Sequence, residues 1–403
     1  MALHLALSDL HFQPQQHIAF SINNASISLR FRRQLLYWFF YDVGSINASA
    51  LGVHVHTALK LSKDRAGRLK ISNITCNASI ARMQAGFSGT LRKVYEFLGL
   101  FLTTGMRFVL NQQICPALNH AGLVLLNSLL DTVPVRNPVD EHVGIDYSLL
   151  SDPVVTWDTL DMDFRGMFFY QKAENQTLVN KGEQPEIKEM ERMVYVAFSE
   201  YFFDSAMFSY FQAGVLTMEF QGDQVPKDLE VLLRATFFGS MLMMSPAVVD
   251  APLRMVLQVV TPPRCTIRPM GTTISVSAVL NISLVPAEQP PVQLSSMSME
   301  ARLSAKVMLR QKALQVQLDL RRQELVGQAW AQGQPVTAPF LPAERTRKGV
   351  QIPLPEGMDF TKEVVTNHLG YITVGADLHF SKGLREVIEN YRPAQPSKPS
   401  PTA

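Results

Sequence analysis

The chain has 403 residues, of which 47% are apolar and 18% charged, with a net charge of +2. That length exceeds one compact core and points to two domains. The near-neutral charge gives no pull toward nucleic acid, and no uninterrupted apolar stretch is long enough to span a bilayer. The closest, Ala235–Val249, is interrupted by Gly239, Ser240 and Pro246 and is expected to be a buried helix.

The opening residues, Met1-Ala2-Leu3-His4-Leu5, have no basic region, and their apolar run breaks early, so they do not read as a signal peptide. Ser28–Arg32 alternates with period two, as a strand does. Five consecutive aromatics, Tyr37 to Tyr41, then reach the turn at Asp42-Val43-Gly44. Alternate residues of a strand face opposite ways, so some of these rings must point outward. Trp38, Phe39 and Phe40 are therefore expected to contact a membrane or partner surface; the competing reading is a satellite core beneath a loop. Arg30, Arg32 and Arg33 read as a solvated face. Val53, Val55, Leu59 and Leu61 alternate with polar or small residues. His54 and His56 share a face but lack a third ligand, so they are expected to face solvent rather than bind a metal.

A helical region follows over about Leu91 to Leu130. Phe97, Phe101 and Phe108 fit helical spacing, yet apolar residues cover the other faces too; such a helix is enclosed by protein or by something apolar. Between Val94 and Val109 only Glu96 and Arg107 are charged. Pro116 should kink the helix, and Cys115 beside it is well placed to staple the helix to the strand carrying Cys76. After Pro134 strands and loops return, through Trp157 and Phe164. Residues 171–189 are polar, contain Gly182 and Pro185, and read as a linker.

A second unit opens at Arg192 with a strand through Phe198. Ser199 can cap the next helix, on which Phe203, Met207, Tyr210 and Phe211 form a stripe before Gly214 stops it. Long alternating strands follow over Ile274–Leu284 and Met299–Leu309, with a hairpin near Arg310-Gln311-Lys312. Strands this long suggest strongly curved antiparallel sheets or barrels. The shared plan of long strands plus an unusually apolar helix makes the two halves a weak internal repeat. The tail 394–403 is rich in Pro and Ser and is expected to be disordered.

Sequons stand at Asn24, Asn47, Asn73, Asn77, Asn175 and Asn281. With a Cys76–Cys115 bridge they favour an oxidising, secretory compartment, leaving Cys265 over. Gly86-Phe87-Ser88-Gly89 fails the nucleophile-elbow spacing by one place. There is no phosphate-binding loop, H-E-x-x-H helix or paired-cysteine zinc pattern. No catalytic residues, metal ligands or cofactor are expected.

Several runs together are distinctive: Phe31–Tyr41, Leu125–Tyr147, Asp161–Gly166, Arg192–Ala206 and Tyr371–Val387. On these the chain resembles the family of bactericidal/permeability-increasing protein, lipopolysaccharide-binding protein and cholesteryl ester transfer protein. The resemblance implies an α+β boomerang of two antiparallel β-barrels with long apolar helices, joined by a central β-sheet. The barrels would be residues 1–170 and 190–393. It implies a Cys76–Cys115 disulfide, with Tyr37–Tyr41 at the tip of the first barrel. It also implies a secreted lipid transfer protein that moves phospholipids between lipoproteins, high-density lipoprotein among them, and membranes. Phe97, Phe101 and Phe108 would line one apolar pocket; Phe203, Met207 and Phe211 would line the other. Two departures are expected: an N-terminal truncation that omits the family's opening strand and internal helix, and an altered stretch over 323–348. The rival expectations are a lipopolysaccharide-recognition protein, a lipid-ester hydrolase, or an inactive truncated form.

Overall fold

Two long antiparallel sheets organise the chain. The computed structural model describes residues 2–4, 7–13, 17–37, 40–89, 92–180, 182, 184–225, 227–237, 239, 244, 246–326, 349–352, 354 and 357–380. They fall into two compact units, one formed by residues up to 135 with 148–165, the other by 136–147 with the residues from 166 on.

The first unit's sheet consists of β1 (Ala2–His4), β2 (Leu7–Gln13), β3 (His17–Tyr37), β4 (Phe40–Lys63) and β5 (Leu69–Phe87). Its order is β1-β3-β4-β5, with β2 also on β3, so among the described strands it is an open curl rather than a closed barrel. Alternation decides its faces: Ala48, Ala50, Val53 and Val55 are buried, whereas His54 and His56 are exposed. Between Ala50 and Val53 the inward face switches at Gly52, whose φ of +60° suits glycine. The register shift between Ile22 and Ala25 contains Asn24, at φ 55°, and a second follows between Ala25 and Ile27. Such bulges bend and twist a sheet.

The expected helical region is α1 (Arg92–Phe97) and α2 (Gly99–His120), then a π-helical turn over Ala121–Leu126 and α3 (Asn127–Leu130). Helix α2 continues through Pro116. Pro116 costs one backbone bond, and the Cys115 disulfide beside it fixes the helix at that point. The irregularity comes later. At Gly122 the helix approaches the sheet so closely that a Cβ would collide with Ile74.

The chain then contributes β6 (Arg136–Pro138) and β7 (Val143–Asp146) to the second unit and returns to the first with β8 (Val154–Val155) and β9 (Leu160–Asp161). The second unit continues with β10 (Met167–Tyr170), β11 (Val194–Ser199), α4 (Glu200–Gln212), β12 (Thr217–Gln221), α5 (Lys227–Thr236) and α6 (Pro246–Val249). The single helix expected over 235–249 does not form among the described residues, where α5 ends at Thr236 and α6 is separate. There follow β13 (Leu253–Val259), β14 (Arg264–Arg268), β15 (Gly271–Leu284), β16 (Val292–Arg310), β17 (Ala313–Val326), β18 (Val350–Gln351), β19 (Met358–Asn367) and β20 (Tyr371–Phe380). The large sheet runs β12-β13-β15-β16-β17-β18 with β14 on β15; smaller sheets are β10-β7-β6 and β11-β20-β19. The β16–β17 hairpin turns at Gln311, with Arg310 opposite Ala313.

Of the stretch 323–348, Gln323–Val326 end β17 opposite Glu300–Leu303; residues 327–348 and the tail lie outside the described residues. Segment 171–189 is tied to its unit. Tyr201 Oη donates to the Leu178 carbonyl (3.0 Å), Tyr371 Oη to that of Glu186 (2.7 Å), and Thr373 Oγ1 to Glu189 (2.8 Å).

Candidate functional site

Helix α2 lies along β5 and is pinned to it at successive points. Tyr95 of α1 stacks on Phe87 at 5.8 Å. The Arg107 guanidinium donates to the Ala81 carbonyl at 3.1 Å. A disulfide joins Cys115 to Cys76, the pair implied by the resemblance. Asn127 closes the series: its Nδ2 donates to the Ile71 carbonyl (3.0 Å), and its Oδ1 accepts the Ile71 N–H (2.8 Å). These side chains satisfy backbone groups of a strand that pairs only with β4 among the described strands.

One face of α2 meets the sheet. Leu110, Ile114 and Leu118 rest against Ala25, Ala50, Val53, Val55 and Ile80. The rest is bare: no residue of α2 is buried, and Phe97 at the end of α1 with Phe101 and Phe108 of α2 are 88%, 79% and 62% exposed. Each large apolar side chain left in water forgoes roughly 1.5–3 kcal/mol. The arrangement offers an apolar surface without chemistry.

At the far end of β3, Tyr37 stands opposite Phe40. Trp38 and Phe39 between them lie outside the described residues, as does the side chain of Phe40. Asn24, Asn47, Asn73, Asn77 and Asn175 are exposed; Asn281 is half-buried and accepts a bond from Ser296 at 2.7 Å. His54 approaches Asn23 and His56 meets Ser21.

In the second unit α4 is set differently. Phe202 and Phe203 are buried with Phe168 and Phe198, and Met207 and Tyr210 rest against that cluster. Phe211 lines an open cleft of about 270 Å³ with Gly214, Leu216, Thr217, Gln258, Val259 and Val260. Ser199 stands at the N-cap, but its hydroxyl makes no capping bond; the N–H of Glu200, the first residue of the helix, donates to the Gly370 carbonyl (3.0 Å). Two carboxylates one turn apart grip β14. Asp204 accepts the Cys265 N–H and Glu200 the Ile267 N–H, each at 2.7 Å, and Arg264 pairs with Asp204 at 3.0 Å. Burial, with Asp204 and Glu200 close by, pushes the Cys265 thiol up, so it stays protonated and unreactive.

Sequence reasoning missed Asn127, Glu200 and Asp204. Arg107 did leave a signal, as one of two charges in an otherwise apolar stretch.

Residues 1–132 match the profile of the LBP / BPI / CETP family N-terminal domain, and residues 137–328 that of its C-terminal domain. Phospholipid transfer protein of Homo sapiens is 61% identical over 97% of this chain and 82% of its own length. The chain belongs to the LBP / BPI / CETP family. Phospholipid transfer protein of Mus musculus is 58% identical over the same shares. A crystal structure of lipopolysaccharide binding protein aligns with TM-score 0.61 and 18% identity, covering 95% of this chain and 87% of that one. At that identity it supports the shared family fold. No described helix is long and apolar enough to cross a membrane.

Proposed function

We propose that this chain is an extracellular lipid transfer protein. It moves phospholipids between lipoproteins, such as high-density lipoprotein, and membranes through apolar surfaces, with no covalent step. The observation that carries the reading is α2, which carries apolar residues on every side yet holds no buried residue. Such a helix calls for an apolar occupant, and relatives bearing the name phospholipid transfer protein supply the class.

A phospholipid leaving a bilayer carries about thirty methylenes through water, a cost on the order of 20 kcal/mol at about 0.8 kcal/mol each. A docked protein that offers an apolar surface removes most of that cost. On this reading Trp38, Phe39 and Phe40 enter the particle surface. Phe97, Phe101 and Phe108 take acyl chains in the first barrel, residues 1–170. Met207 and Phe211, backed by Phe203, do so in the second, residues 190–393.

The test is fluorescent phospholipid transfer from vesicles to high-density lipoprotein by this chain, secreted behind a heterologous signal peptide. Transfer without fatty-acid release is expected. Fatty-acid release would make it a hydrolase, and a soluble, monodisperse product that transfers nothing would sink the reading.

A further inference from the structure

The β8–β9 hairpin of the first unit carries Trp157 at its tip, 80% exposed, with Val154 on the hairpin and Leu150 and Phe164 on the segments flanking it also exposed. This is unusual placement for so large an apolar ring, and the tip is built to hold it. The Thr156 N–H donates to the Thr159 carbonyl (2.9 Å), and the Thr159 N–H donates back to Thr156 Oγ1 (3.0 Å). The two threonine hydroxyls meet at 2.8 Å. Thr156 Oγ1 also reaches Asp158 at 3.1 Å, and Thr159 Oγ1 reaches Asp161 at 3.2 Å. The root is anchored as well: the Lys63 N–H donates to Asp152 (2.9 Å), and the Lys63 ammonium approaches the Leu149 and Leu150 carbonyls. Trp157 thus projects from a turn closed by hydrogen bonds. The anchor, Lys63, ends β4, whereas the Tyr37–Phe40 pair begins it, so the two aromatic tips lie at opposite ends of one strand.

We infer that Trp157 is a second lipid-contacting element, one that recognises the choline headgroups of a phosphatidylcholine surface. Two features decide the partner. The exposed apolar side chains here are Trp157, Leu150, Val154 and Phe164, well short of the roughly 800 Å² per side of a stable protein interface; a lipid–water boundary accepts a single indole. The charge is the second. Asp158 follows Trp157 in the turn, Asp161 lies on the returning strand β9, and neither forms an ion pair among the described residues, so an anionic surface is repelled. A quaternary ammonium is attracted by the ring face and the carboxylates together. The inference rests on the lipid-transfer reading but concerns a different tip.

Flotation of the full chain with vesicles of phosphatidylcholine, and separately of phosphatidylglycerol, tests it. Trp157→Ala is expected to weaken binding to phosphatidylcholine roughly tenfold, with the thermal melt unchanged because the ring is exposed. Asp158→Asn/Asp161→Asn is expected to narrow the preference for phosphatidylcholine over phosphatidylglycerol. Wild-type chain that binds neither vesicle would overturn the lipid reading and this inference together. Wild-type binding that Trp157→Ala leaves unchanged would overturn the inference alone. So would a loss equal on both lipids, which would mark Trp157 as a non-selective apolar anchor.

Discussion

Helices α2 and α4 both look, by composition, like walls of a lipid site, yet they are held in opposite ways. Helix α4 buries Phe202 and Phe203 in its unit's core and fastens its polar side to β14 with Glu200 and Asp204. Helix α2 buries nothing fully and is hung on β5 by a disulfide and a few polar contacts. An apolar helix therefore need not be a core helix. What separates the two is whether neighbouring protein fills the space around it, and around α2 we assign that space to lipid.

One residue type probes both helices. Phe202→Ala should cost about 3–5 kcal/mol, because Phe202 touches Phe168, Phe198 and Phe203 at ring distances of 5.1, 4.8 and 5.2 Å. Phe108→Ala, at 62% exposure, should stay within about 0.5 kcal/mol while slowing transfer. Urea unfolding read beside the transfer assay separates these effects. Equal destabilisation by both variants would make α2 a core helix and erase the contrast.

The disulfide ranks next. It closes a 39-residue loop, for which the chain-entropy account gives about 4 kcal/mol. With Cys76→Ser/Cys115→Ser, amide exchange should accelerate across Gly99–His120 and remain slow across Glu200–Gln212. Acceleration in both would mean that the pins on α2 are not local. A smaller loss, about 1–3 kcal/mol, is expected for Asp204→Ala, which strips the acceptor from the buried Cys265 N–H.

These contrasts also explain what could be read from sequence. Period-two alternation placed the long strands, and the Arg310–Lys312 hairpin formed as its turn residues suggested. The all-round apolar character of α2 was equally plain. Of the pins, the Cys76–Cys115 disulfide was legible, but the two polar ones were not, because they join residues 26 and 56 places apart, and nothing local marks Asn127 as a partner for a strand edge. Ser199 misled for the same reason. Its hydroxyl makes no capping bond, and the helix's first N–H, that of Glu200, is met by the distant Gly370 carbonyl. Trp157 was visible as a residue, but its exposure depends on a threonine network that only the folded turn assembles.

The smallest effect distinguishes the helices by pH. Asp140 ties α4 to its unit: one oxygen accepts the His142 and Val143 N–H groups at 2.8 and 2.9 Å, and the other accepts the Tyr210 hydroxyl at 2.9 Å. Partial burial favours the neutral acid, but the hydrogen bonds prevail and hold this carboxyl below the usual aspartate range. A group whose folded value is depressed gives its full stability above the unfolded value, about 3.9. That contribution fades as pH falls through the folded value. No comparable carboxylate holds α2 among the described contacts, where Glu96 serves only Arg92, and neither an arginine–carbonyl bond nor an asparagine–backbone bond titrates in this range. Acid should therefore loosen the Tyr210 end of α4 while α2 stays on β5. Amide exchange followed from about pH 5 down to about pH 3 should show the loss on α4 alone. Asp140→Asn, which cannot titrate, should flatten that dependence. If the slope persists in Asp140→Asn, Asp140 is not its source and this account of α4 fails.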